Sequence, residues 1–138
     1  IIDYFDDIYD HHFSKIDNDQ KLSKPKHVAK LFRDYEIKLL KPLLEFLRGN
    51  SNCRLIGPGD NVLRAPTVAF VPKNKKPSEV ARDLSKYNIM SGAGDFYAVR
   101  PLKALGIDPD EGVVRLSFVH YTSENEVKRL IEALEKIL

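Results

Sequence analysis

Over residues 113–138 the hydrophobic period changes once, from two to 3.6. From Val113 to Tyr121 the chain alternates. Val114, Leu116 and Phe118 fall on one side, and Arg115, Ser117, Val119 and Tyr121 on the other, which predicts a strand. Ser123-Glu124-Asn125-Glu126 then has the form of a capping box. Val127, Leu130, Ile131, Leu134, Ile137 and Leu138 follow as the stripe of an amphipathic helix. A strand with one apolar side and a helix with one apolar stripe must each bury that surface. The short link between them favours a domain of helices layered on a sheet.

The rest of the chain fits that plan. Ile1, Tyr4, Phe5 and Ile8 have helical spacing within 1–13, and the polar stretch 14–24 reads as a loop. Pro25 suits the first turn of a helix. From Val28 to Leu47 apolar residues recur every three or four positions, predicting a long amphipathic helix stopped by Gly49-Asn50. Pro42 lies inside it and predicts a kink or break near Leu39, because proline lacks an N–H and crowds the preceding turn. Arg54-Leu55-Ile56 and Pro66 to Val71 read as strands. Pro77 opens a helix over 78–86, and Tyr87 to Met90 reads as a short extended piece. Ser91 to Asp95 reads as a glycine-bearing loop, Phe96 to Leu105 as a helix ended by Gly106, and 109–112 as a turn. The order α, α, β, β, α, β, α, β, α predicts an α+β domain, a small mixed or antiparallel sheet covered on one face by helices.

Composition narrows the function classes. The 138 residues, 43% of them hydrophobic, suit one domain with a true core. No apolar run approaches the roughly 20 residues that span a bilayer, so no membrane partner is expected. A single cysteine, Cys53, excludes an internal disulfide framework and a cysteine-rich zinc site. It also fits a reducing compartment, hence a cytoplasmic protein. Residues 1–20 hold six acids and one base, and residues 21–50 hold eight bases and three acids. The bases in 21–50 alternate with Leu, Phe and Val at helical intervals, without interleaved stacking aromatics. A solvated helix face is therefore expected there, rather than a nucleic-acid arm. The chain opens Ile1-Ile2-Asp3, without initiator Met or signal-peptide pattern, and reads as part of a longer chain.

Few residues stand out chemically. Arg115 is a cation in the middle of an apolar strand. A guanidinium fixed on a rigid strand can clamp a carboxylate at two points, while the plain reading is a surface arginine on a solvated sheet face. The Ser91–Asp95 loop, with Gly92 and Gly94, allows close approach of a ligand but lacks the spacing of a P-loop or dinucleotide fingerprint. A tight turn is its plain reading. His11-His12 beside Asp7 and Asp10 do not converge on one ion, so no metal is expected. Cys53 has no base partner in sequence. His120 reads as a core or rim histidine and His27 as a helix-surface residue.

Four blocks carry a resemblance. They are Tyr35-Glu36 through Leu47; Arg54-Leu-Ile-Gly-Pro58; Pro66-Thr-Val-Ala-Phe70; and Ser91-Gly-Ala-Gly-Asp-Phe-Tyr-Ala98 with Leu102, Gly112-Val-Val-Arg-Leu-Ser-Phe-Val-His-Tyr121 and the capped last helix. Their order and spacing over 28–138 resemble the small C-terminal domain of class V aminotransferases, in particular the cysteine desulfurase-like branch. These are fold-type I pyridoxal phosphate (PLP) enzymes. The resemblance implies that 25–138 is that small domain and 1–24 the tail of the large domain's helical region with a linker. It implies that Arg115 binds the carboxylate of an amino-acid substrate. It also implies that Gly92, Gly94, Asp95, Phe96 and Tyr97 form a loop bordering the active site.

Two departures from the family pattern shape the expectation. Desulfurases of the closest type carry a sulfur-accepting cysteine where Tyr97 stands here, and Cys53 lies far off in sequence. The Schiff-base lysine, the ring-stacking histidine and the aspartate that pairs with the pyridine nitrogen belong to the large domain, and nothing here matches them. The resemblance therefore implies a domain that needs its large PLP-binding partner, works as a homodimer when full length, and does not catalyse alone. Desulfurase-, aminotransferase- and epimerase-like chemistry all remain open. The expectation from another class is a non-enzymatic α+β binding or regulatory module, in which Arg115 is a plain surface residue.

Overall fold

A computed structural model describes residues 1–13, 23–62 and 64–138. The element order is α1 (Ile2–Phe13), α2 (Lys24–Gly49), β1 (Cys53–Ile56), β2 (Thr67–Pro72), α3 (Pro77–Ser85), β3 (Gly92–Gly94), α4 (Val99–Ala104), β4 (Val113–Ser117) and α5 (Glu124–Ile137). The four strands form one antiparallel sheet in the order β1-β2-β4-β3. The fold is α+β as expected, and the sheet is antiparallel throughout. Of the loop expected over residues 14–24, positions 14–22 lie outside the described residues, and α2 already begins at Lys24. Among the described residues no helix is long and apolar enough to cross a membrane.

The core sits between the sheet and three helices. Val68 and Phe70 of β2 and Val114 and Leu116 of β4 share one sheet face and are buried. Against them pack Leu39, Leu40, Leu43, Leu44 and Leu47 of α2, Val80 and Leu84 of α3, and Val127, Leu130 and Leu134 of α5. Each of these leucines, fully buried, contributes roughly 1.5–3 kcal/mol relative to exposure. The other face is not bare. At one end Leu102 of α4 and Ile107 close over Val113, with Ile56, Ala69 and Val71 beside them, in a small second cluster.

The capping box at α5 forms as read. Ser123 Oγ accepts from Glu126 N at 3.2 Å, and Glu126 Oε2 accepts from Ser123 N at 2.7 Å. Four elements differ from expectation. α2 runs unbroken across Pro42, its apolar face held by the buried leucines on either side of that residue. β4 ends at Ser117 instead of Tyr121. Its next bond runs from Phe118 N to Pro66 O at 2.8 Å, and Pro66 has no N–H to return it, so the ladder stops. The extended piece lies at Gly92–Gly94, inside the expected loop, while Lys86 to Asn88 form a turn. The helix expected from Phe96 starts only at Val99. Phe96 and Tyr97 have φ of 50° and 61°, which end any helix.

Candidate functional site

Arg115 stands near the middle of β4, an inner strand of the sheet. Its partner across the ladder is Ala69 on one side and Gly92 on the other. Residues opposite one another share a sheet face. The arginine therefore rises between two of the smallest side chains available, on the face away from the main core. Thr67 and Ser117, one step along on the same face, have their hydroxyls 3.3 Å apart. Arg115 is exposed, and among the described residues its guanidinium has neither a hydrogen-bond partner nor an ion-pair partner.

One group does touch it. Arg115 Cζ lies 3.9 Å from the centroid of the Phe96 ring. The ring also lies over Gly92, where an added Cβ would come within 2.8 Å of Phe96 Cζ. The turn carrying the ring is closed by Asp95. Its Oδ1 accepts from Tyr97 N at 3.2 Å, and its carbonyl accepts from Ala98 N at 2.8 Å. Tyr97 projects outward and is fully exposed. Left-handed φ at two successive non-glycine residues costs about 1–2 kcal/mol for each. An exposed cation–π contact contributes about 0.5–1 kcal/mol. The stack alone does not offset the strain, so the Asp95 bonds and the seat on Gly92 must also hold the turn. Behind it, the backbone of Gly112 lies against that of Gly94.

The structure thus brings together Arg115, Gly92 and Phe96 directly, with Gly94, Asp95 and Tyr97 framing them. Reasoning from sequence missed Ala69 and Thr67 as neighbours. Alternation put Ser117 on the arginine side, but the residues across the ladder need the register, which one strand does not carry. Cys53 is elsewhere. It is buried on the core side of β1, its Sγ 3.5 Å from the Leu47 carbonyl, and burial pushes its thiol up from the ordinary value. His120 is a rim residue. Its ring stacks on Phe32 at 4.0 Å, and its Nε2 is 2.7 Å from the Tyr4 hydroxyl. His27 packs its ring against Tyr9 and Phe13.

An exposed, unpaired guanidinium with a free N–H edge can take a carboxylate in bidentate fashion. The sheet face around Arg115 does not fit PLP. No strand of the sheet carries a lysine, and the guanidinium lies on open surface instead of in an enclosed cradle.

Known proteins share this fold. The family model for aminotransferase class-V matches residues 26–130. The aminotransferase-like protein FGM3 of Gibberella zeae is 30% identical over 117 residues, covering 83% of this chain and 29% of that protein. Among solved structures, the apo cysteine desulfurase of Thermococcus onnurineus superposes with a TM-score of 0.70 at 29% identity, over 83% of this chain and 28% of that one. The Escherichia coli cysteine desulfurase CsdA gives 0.65 at 22% identity, over 76% and 25%. The chain spans less than a third of these relatives. With the family model matching most of its length, and an antiparallel α+β fold that superposes on family structures, the chain belongs to the class-V aminotransferases.

Proposed function

We propose that residues 25–138 are the small C-terminal domain of a PLP-dependent enzyme acting on an amino acid, with 1–24 as the tail of the large domain's helical region and a linker. Arg115 receives the substrate's carboxylate, and the segment Gly92, Gly94, Asp95, Phe96, Tyr97 borders the pocket. The observation that carries this reading is the free guanidinium on an inner strand, flanked by Ala69 and Gly92. A surface arginine without a role has no need of two small neighbours.

The family uses PLP, which serves as an electron sink for a carbanion next to the substrate nitrogen. This chain contributes the group that receives the substrate's carboxylate. The lysine that holds the cofactor comes from the large domain, so the chain alone is inactive. Tyr97, where the resemblance puts the sulfur-accepting cysteine of desulfurases, has no thiol, and Cys53 is buried on the other face of the sheet. Transfer or epimerisation chemistry therefore fits better than sulfur transfer through a persulfide on this chain. The same reading places the full enzyme in the cytoplasm as a homodimer.

The test is Arg115→Ala in the full-length enzyme. KM for the preferred amino acid should rise about a hundredfold, matching the loss of about 3 kcal/mol from a charge-assisted bidentate pair. PLP content, read from the visible absorbance, should stay unchanged. Equal loss of cofactor and substrate, or loss of neither, would count against it and favour a binding or regulatory module.

A further inference from the structure

Phe96 has a position that bulk alone does not explain. It holds a left-handed backbone that a large aromatic residue rarely adopts, and its ring lies over Gly92 and against the Arg115 guanidinium. No other aromatic ring among the described residues makes a cation–π contact with an arginine. The turn turns Phe96 toward the arginine and Tyr97 away from it.

An arginine side chain in water samples many orientations, and ordering it costs entropy each time a ligand binds. A ring against the flat face of the guanidinium removes that freedom beforehand. With Arg115 Cζ 3.9 Å over the ring centroid, a stacked ring takes one face and leaves the in-plane N–H edge, the edge a carboxylate uses. We infer that Phe96 is a positioning residue for Arg115. Its ring fixes the plane of the guanidinium so that the N–H edge meets the substrate carboxylate. Gly92 is the small residue that gives the ring its seat. The inference rests on the reading that Arg115 receives the carboxylate.

Two measurements test it. In this chain, 15N relaxation of the Arg115 Nε–Hε group should show an ordered guanidinium. Phe96→Leu should lower its order parameter into the range of a free surface arginine, and Phe96→Tyr should restore it. In the full-length enzyme, assayed against the proteinogenic L-amino acids to find the best substrate, Phe96→Leu should raise KM about fivefold with kcat unchanged. Phe96→Tyr should return KM to near the parent value. In an Arg115→Ala background, Phe96→Leu should add nothing. If Phe96→Leu does not fold, Gly92→Ala carries the same expectation, because its methyl displaces the ring.

A large KM increase for Arg115→Ala with none for Phe96→Leu overturns the positioning role and leaves the proposed function standing. No increase for Arg115→Ala overturns that function instead. A KM increase with Phe96→Leu that Phe96→Tyr does not reverse means that an aromatic ring at this position is not what orders the guanidinium, and also overturns the inference.

Discussion

At the scale of single residues, the site depends on where side chains are missing. Gly112 has φ +68°, and a Cβ there would lie 2.2 Å from the Gly94 carbonyl carbon and 2.3 Å from its oxygen. Both are backbone atoms of β3, which cannot swing aside as a side-chain tip would. Gly106 has nearly the same φ, +71°, with nothing within 4 Å. The pair separates two costs. Gly106→Ala should lose about 1 kcal/mol, the left-handed backbone penalty alone. Gly112→Ala should lose about 2 kcal/mol or more, because β3 must also move away from β4. Urea midpoints at constant m would read the difference, and equal losses would mean that β3 is free to shift. Gly112 was legible in sequence only as part of a turn, because what it touches is Gly94 of β3, a strand pairing that the turn itself does not encode. Arg115 was legible as a residue on the side away from the aliphatic stripe. Its stack on Phe96 was not, since left-handed conformations are read from Gly or Asn and here fall on Phe and Tyr.

At the scale of elements, what could be read depended on whether a local bond or a distant partner sets the boundary. The Ser123–Glu126 box closes within four residues, so its sequence suffices. β3 is Gly-Ala-Gly, which has poor strand propensity, and it is extended only because β4 offers a free edge. The end of β4 at Ser117 depends on Pro66, some fifty residues away, and the continuity of α2 depends on the leucines packed around Pro42. α3 has a local device that sequence hid. Lys86 and Lys75 hold Asp83 at 2.7 and 3.0 Å, and these hydrogen bonds bring its carboxyl from 3.8 down to about 2. A folded-state value below the unfolded one means stability that is complete above 3.8 and drains away as pH falls toward about 2. Glu126, lowered by its bonds from Ser123, acts in the same direction. Asp83→Asn should therefore flatten the dependence of the urea midpoint on pH between 3.8 and about 2, leaving the part due to Glu126. An unchanged slope would show that neither lysine holds Asp83 in solution.

At the scale of the whole molecule, the order of helices and strands was readable because each face announces its period, while the depth of each element was not. α1 reads as amphipathic, yet it has no buried residue. It lies along α2 with Phe5 5.9 Å from Phe32 and Lys24 on Asp10 at 3.1 Å, and its Tyr4 hydroxyl bonds His120 in the segment after β4. Exposed ion pairs of that kind contribute about 0–1 kcal/mol, and an isolated helix of twelve residues is marginal in water. α2, by contrast, carries five of the buried leucines between helix and sheet. Elements held so differently should open separately, with α1 opening at low free energy and the second half of α2 only on global unfolding. Amide hydrogen exchange should accordingly show α1 protected at least about a hundredfold less than Leu39–Leu47, a gap of about 3 kcal/mol. Tyr4→Phe, which removes the bond to His120 and keeps the ring, should speed exchange in α1 severalfold without moving β2 or β4. If α1 exchanged together with α2, the aromatic contacts would be holding it as tightly as the core holds the sheet, and α1 would have to be counted as part of the cooperative unit.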